Sequence, residues 1–311
     1  MTRPDITFVA SDNAVTRRER CRQSAYREDV LGLPAGRARN GDTLGNYLAE
    51  DDWRSNFLSA EAADYAAQRV HVVRGEGGQL EQSRLFTNML SSMPLCFSVF
   101  GHLRAHREAA AALLSAATGY DITGFDRVAV GGRTIDGIEC EWAPERSLHL
   151  DDGTAFDAVV AARLVDGRRL LIAVETKYVD SFSRDKADPD KDRKYRAFCE
   201  RFGMTDTAFD ALKAPATRQL LRNVLLTESV RRGGGSGSEL FDAALTLVLA
   251  RDDDDAARSA VATVERERGD LATAVAFTGH GELAQAASAV HRLGEWAGRI
   301  RRRYVPPAVT A

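Results

Sequence analysis

Three charged residues stand where the chain otherwise reads as strand. Asp157, Glu175 and Lys177 lie within TAFDAVVAARLVDGRRLLIAVETKY, residues 154–178. Valine, leucine, isoleucine and phenylalanine dominate that stretch, and an ionised group among them carries a burial cost unless it is paired or holds a metal. Two carboxylates can hold Mg²⁺, with Mn²⁺ as the alternative ion. An ammonium beside them can orient or help deprotonate a water and offset charge on a phosphate. Together they make a minimum set for phosphodiester hydrolysis.

The elements that must position them are two strands and a turn. Asp166-Gly167 supplies the turn signal. Side chains alternate along a strand, so Leu170, Ile172, Val174, Thr176 and Tyr178 form a core face. Glu175 and Lys177 point together to the face opposite the core, beside the small Ala173. A three-residue loop Val165-Asp166-Gly167, with glycine in the left-handed third position, pairs Leu164 with Arg168 and hence Asp157 with Glu175. A two-residue Asp-Gly turn would set Asp157 opposite Thr176, on the wrong face. The three-residue loop is therefore the expectation.

Lysine is scarce here. Of 42 basic residues only five are lysines: Lys177, Lys186, Lys191, Lys194 and Lys213. A chain that uses arginine for generic positive charge has a reason to place a lysine in mid-strand, because a compact ammonium can lose its proton and fit a crowded oxyanion site. The net charge of −3 gives no global basic signal, which argues against nonspecific coating of nucleic acid but allows a local basic groove. Cys21, Cys96, Cys140 and Cys199 are far apart and form no Cys-x-x-Cys pair, so reduced thiols are expected. The N-terminal residues carry no signal-like apolar core, and no apolar run approaches membrane-spanning length. A soluble, cytoplasmic protein with no membrane partner is expected.

Along the chain, residues 11–30 read as a helix stopped by LGLPAG, 37–58 as irregular, and 59–70 as a short helix. Leu80 opens an amphipathic helix that a second one follows after a break, capped by Ser92 and closed by Gly119. Strands are expected at 125–130 and 137–143 before the hairpin. A charged excursion (181–194), helices at 195–202 and 216–229, and a flexible connector at 231–238 come after it. An apolar strand at 240–250, a helix near 255–268, a strand at 273–279 and one last long helix complete the chain. This order predicts an α/β sandwich with a mixed sheet.

Asp157, 17 intervening residues, then Glu175-Thr176-Lys177 resembles the PD-(D/E)XK nuclease superfamily, the restriction-endonuclease-like fold. RLFTNMLSSMPLCFSVFG and the terminal WAGRIRRRY extend the likeness to an uncharacterised bacterial branch of it. Phe156 replaces the proline of the motif's name, a common departure. The resemblance implies a central mixed sheet flanked by helices. Residues 81–250 would form the nuclease-like core, 1–80 a helical extension packed on it, and 251–311 a strand and helix extension of the same domain. It assigns Asp157 and Glu175 as Mg²⁺ ligands and Lys177 as the third catalytic residue, acting on DNA. Gln219, with Arg222 nearby, sits where some branches carry a supporting glutamine, and Glu81 where some carry an acid on the first core helix. Glu141 is a further candidate carboxylate, with Glu139 on the same strand face. A catalytically inactive nucleic-acid-binding or scaffold protein, an RNA-specific nuclease and a homodimer stay open as alternatives.

Other constellations fade. His102 and His106 fall four apart on an expected helix, but no glutamate follows His102, so the zinc-protease pattern fails. GGGSGS lacks the Gly-Lys-Ser/Thr ending of a phosphate loop. Asp252–Asp255 read as a solvated loop.

Overall fold

The computed structural model describes residues 6–182, 188–234 and 238–306. Lys186 and the middle of the glycine-rich connector lie outside them. Helices α1 (Ala14–Ala25), α2 (Ala60–Gly75), α3 (Ser92–Cys96), α4 (His102–Ala105) and α5 (Arg107–Thr118) precede the sheet. Strands β1 (Ile122–Phe125), β2 (Arg127–Val130), β3 (Arg133–Asp136), β4 (Ile138–Trp142), β5 (Phe156–Leu164) and β6 (Arg169–Thr176) follow. Helices α6 (Pro189–Phe202), α7 (Asp206–Leu212) and α8 (Arg218–Arg231) lead to β7 (Ala243–Ala250). The chain ends with α9 (Asp255–Glu267), β8 (Thr273–Gly279), α10 (His280–Ser288) and α11 (Gly294–Tyr304).

The mixed sheet has the order β1-β5-β6-β7-β8, with β4 also pairing β5, while β2 and β3 form a separate ribbon. β1 and β4 take different lengths of β5, so six strands occupy five positions. β5 runs antiparallel to β6, and β6, β7 and β8 are parallel to one another. The hairpin register is the expected one. Leu164 N–H donates to Arg168 O at 2.8 Å, Gly167 has φ 85°, and Ala158 pairs with Val174. One pair further along, Asp157 falls opposite Glu175.

Helices cover both faces, which corrects the expectation of a single core face. Leu170, Ile172, Val174 and Tyr178 join one apolar core with α2, α3, α5, α10 and α11. Leu171 and Ala173 join a second core with α6–α9. The long apolar runs of β6 and β7 follow from this, because the parallel part of such a sheet is sealed on both sides.

Several local expectations are corrected. The helix expected from Leu80 is only a single wide turn, Ser83–Thr87, because the backbone there pairs elsewhere. Leu48 N–H donates to Thr87 O at 3.0 Å and Met89 N–H to Asn46 O at 2.9 Å. Ser91, not Ser92, caps α3. The strand expected at 125–130 breaks at Asp126, whose N–H donates to Ala161 O at 2.9 Å. α6 starts earlier than expected, at Pro189, with Asp188 as its N-cap. The last helix is two, interrupted at 289–293, where Arg292 has φ 71°.

Tyr178, just past β6, ties the strand end to both termini. Its hydroxyl donates to Glu19 at 2.9 Å and accepts from Gln23 Nε2 at 2.7 Å. Arg303 of α11 donates to Gln23 Oε1 at 3.0 Å and to Asn56 O at 2.7 Å. Burial and then Glu19 push the phenol well above its ordinary pKa, so it stays a protonated donor. Tyr178→Phe is expected to lower stability by about 1–3 kcal/mol, because buried Glu19 and Gln23 each lose a partner. Urea unfolding at neutral pH checks this, with far-UV circular dichroism unchanged.

Candidate active site

The register of β4, β5 and β6 brings three carboxylates abreast. Cys140 pairs with Ala158 and Trp142 with Phe156, which sets Glu141 beside Asp157, and Asp157 lies beside Glu175 on the other flank. Glu141, Asp157, Glu175 and Lys177 line one cleft of about 720 Å³. Lys177 follows the last residue of β6, and its backbone N–H still donates to Leu249 O of β7 at 2.8 Å. Its carbonyl accepts from His280 Nε2 at 3.1 Å. Burial lowers the His280 pKa to about 4, so this ring is a neutral donor that pins the strand end.

Glu175 is 5% exposed and held from three directions. Lys177 Nζ lies 2.7 Å from its Oε1, Gln219 Nε2 donates to the same oxygen at 2.7 Å, and Asn223 Nδ2 donates to Oε2 at 2.6 Å. Lys177 also donates to Gln219 Oε1 at 3.3 Å, and its ammonium stands 5.1 Å from the Phe182 ring centroid. Asp157 Oδ2 accepts from the Thr176 backbone N–H at 2.7 Å, a bond that takes the place of the next rung of the ladder.

The three acids repel one another. Burial first, then Glu175 and Glu141, hold the Asp157 carboxyl well above the usual range. Burial and Glu175 push Glu141 up to about 7, against the pull of Arg69 and Arg84. Glu141 also departs from strand geometry: its φ is 48°, and its carbonyl accepts from Arg69 at 3.0 Å. Glu139 is not solvent-facing, since it accepts from the Tyr65 hydroxyl at 2.6 Å and pairs with Arg104 at 3.1 Å.

The remaining candidates separate. Gln219 belongs to the cluster. Arg222 lines an adjoining cavity that Asp157, Glu175 and Gln219 also line, together with Asp152, Lys191 and Tyr195, and it hydrogen-bonds Tyr195. Glu81 is exposed on the wall of the large cleft, where its carboxylate accepts from Ser83 at 3.0 Å, and no helix carries it. Asn223 escaped the sequence reading. The available signal was its spacing of four from Gln219, which puts both amides on one side of α8.

This architecture defines a class: a restriction-endonuclease-like sandwich with two aligned acids and a lysine on adjacent strands. The chain belongs to the PD-(D/E)XK nuclease superfamily, whose family model matches residues 10–306. No curated protein and no solved structure matches it. No helix among the described residues is long and apolar enough to cross a membrane.

A pH dependence follows from Glu141. Its raised pKa means the folded state resists ionisation, so stability present below the ordinary value near 4.5 is lost as pH rises towards about 7. With divalent ions chelated, Glu141→Gln is expected to raise stability at pH 8 by about 1–2 kcal/mol and to change little at pH 4. Denaturant titrations at the two pH values measure the difference.

Proposed function

We propose that this protein is a metal-dependent nuclease that hydrolyses phosphodiester bonds of DNA. The observation that carries the reading is the contact of Lys177 Nζ with Glu175 at 2.7 Å in a cleft shared with Asp157. An amide-braced acid, a second acid and an ammonium supply the functions that phosphoryl transfer to water requires.

The donor set fits a divalent cation. Three carboxylates face one ammonium, and their mutual repulsion raises the pKa of Asp157 and Glu141; a hard dication bound by oxygen ligands would relieve it. Asp157 and Glu175 would hold Mg²⁺, or Mn²⁺, with Glu141 within reach, and the ion when bound supplies Lewis-acid stabilisation of charge at the phosphate. Lys177 orients the attacking water and offsets charge on the phosphoryl oxygens. Gln219 and Asn223 keep the Glu175 carboxylate from rotating, and the Thr176 amide does the same for Asp157. Arg84 lines the large cleft, with Lys191 and Arg222 in the adjoining cavity. These cations flank the acids and suit a polyanion that passes across them.

Purified protein with Mg²⁺ or Mn²⁺ is expected to cleave at least one of supercoiled, linear double-stranded or single-stranded DNA. Lys177→Ala, Glu175→Ala and Asp157→Asn should each lower the rate by about 10²-fold or more. Cleavage confined to RNA would transfer the reading to a ribonuclease. Binding without cleavage of any substrate, by correctly folded protein, would leave a non-catalytic nucleic-acid binder. Gln219→Ala, which removes one of two donors to Glu175 Oε1 and one acceptor of Lys177, should cost about 10–100-fold in rate or in apparent Mg²⁺ affinity. Steady-state cleavage over a Mg²⁺ series separates the two effects.

A further inference from the structure

His102 and His106, discarded as a protease motif on sequence grounds, meet an acid that sequence spacing hides. Glu61, in the first turn of α2, joins them, and one ligand atom from each residue lies within 4.8 Å of the others. α4 stops at Ala105, and His106 takes φ −120° and ψ 57°. The two imidazole centroids lie 4.3 Å apart with planes tilted by 44°. His102 is braced on two sides: Trp296 stacks on it at 4.9 Å, and its Nδ1 lies 3.1 Å from Ser59 Oγ. With Nδ1–H given to that hydroxyl, Nε2 presents its lone pair, as in metal sites whose histidines are oriented by a second hydrogen bond. His106 Nε2 is sealed from water without a hydrogen-bond partner. Such an orphaned nitrogen calls for an explanation. None of the three residues lines the catalytic cleft or the cavity beside it.

A glutamate in the first turn of a helix is ordinary, since the dipole favours it there. That accounts for Glu61 but not for two imidazoles gathered on it. We infer that Glu61, His102 and His106 bind a borderline transition-metal cation, Zn²⁺ being the expected ion, at a site separate from the catalytic acids. Two imidazole nitrogens and a carboxylate suit Zn²⁺, with water in the fourth position; Mg²⁺ prefers oxygen ligands and keeps its waters. Tetrahedral zinc holds its donors about 3.4 Å apart, so the side chains close by up to about 1.4 Å on binding. The exposed Glu61 side chain has that freedom. The ion would link the start of α2 to the break between α4 and α5.

Full-length, tag-free protein stripped with a chelator is titrated with Zn²⁺ by calorimetry in a large excess of Mg²⁺, which occupies oxygen sites. The expected result is one equivalent bound and a melting temperature raised by Zn²⁺. Co²⁺ in place of Zn²⁺ should give the intense visible absorption of a four-coordinate ion. His106→Ala should weaken Zn²⁺ binding at least about tenfold and abolish the cobalt bands, and Glu61→Gln should also weaken binding. Both variants should keep the metal-free melting temperature, which separates ligand loss from misfolding. Glu175→Gln should leave the zinc titration unchanged. No zinc bound by the native chain, unchanged binding in His106→Ala, or binding lost in Glu175→Gln would each overturn the site.

Discussion

A carboxylate in the middle of a sheet with helices on both faces has to be matched group by group, and the arrangement around Glu175 follows from that need. The residue is 5% exposed, so removing its partners would leave a charge with no solvent to screen it. Lys177 neutralises it from its own strand end, and Gln219 and Asn223 reach it from α8. The two amide contacts need α8 packed against the sheet at one rotation, which the second core supplies through Leu220, Leu221, Val224 and Leu225. Site geometry and apolar packing are therefore one structure.

Much of this was legible in the sequence because it depends on short-range rules. The three-residue loop fixed the hairpin register, and a period of two then put Asp157 beside Glu175. Gly119 closes α5 with φ 75°, as a helix-ending glycine should. The misses have the opposite character. The Leu80 segment is a plausible amphipathic helix on its own, yet its carbonyls and amides pair with residues near 46–48, which no local pattern announces. Glu141 was placed on a strand correctly, but its closeness to Asp157 depends on the long-range register of β4 on β5, and no local pattern announces its φ of 48°. Asn223 was hidden for another reason: an asparagine on a helix signals nothing until the strand beneath it is known.

The far ends of the chain bear on the site through polar groups as well as through the apolar core that Tyr178 shares with α10 and α11. Glu19 and Gln23 of α1 bond the Tyr178 hydroxyl, His280 of α10 bonds the Lys177 carbonyl, and Arg303 of α11 holds Gln23 in turn. Arg251, after β7, donates to the Tyr178 carbonyl. A strand end would otherwise fray, since its last amides and carbonyls lack ladder partners. Here the Lys177 amide bonds β7, its carbonyl bonds α10 and the Tyr178 carbonyl bonds Arg251, so the backbone that carries Lys177 is held from several sides.

That constraint bears on why residue 177 is a lysine in so arginine-rich a chain. Its ammonium stands within 3.3 Å of two oxygens, over the Phe182 ring and in a residue only 7% exposed. A guanidinium carries five donors in a flat fork and stays charged, so it would need a wider slot and more acceptors than Glu175 and Gln219 provide. Elsewhere arginine is given such acceptors: Arg303 bonds Gln23, the Asn56 carbonyl and the Asn56 side chain, and Arg231 bonds Glu228 and Glu239. The choice at 177 therefore follows from the number of acceptors within reach, and a compact, rotatable donor is what that count permits.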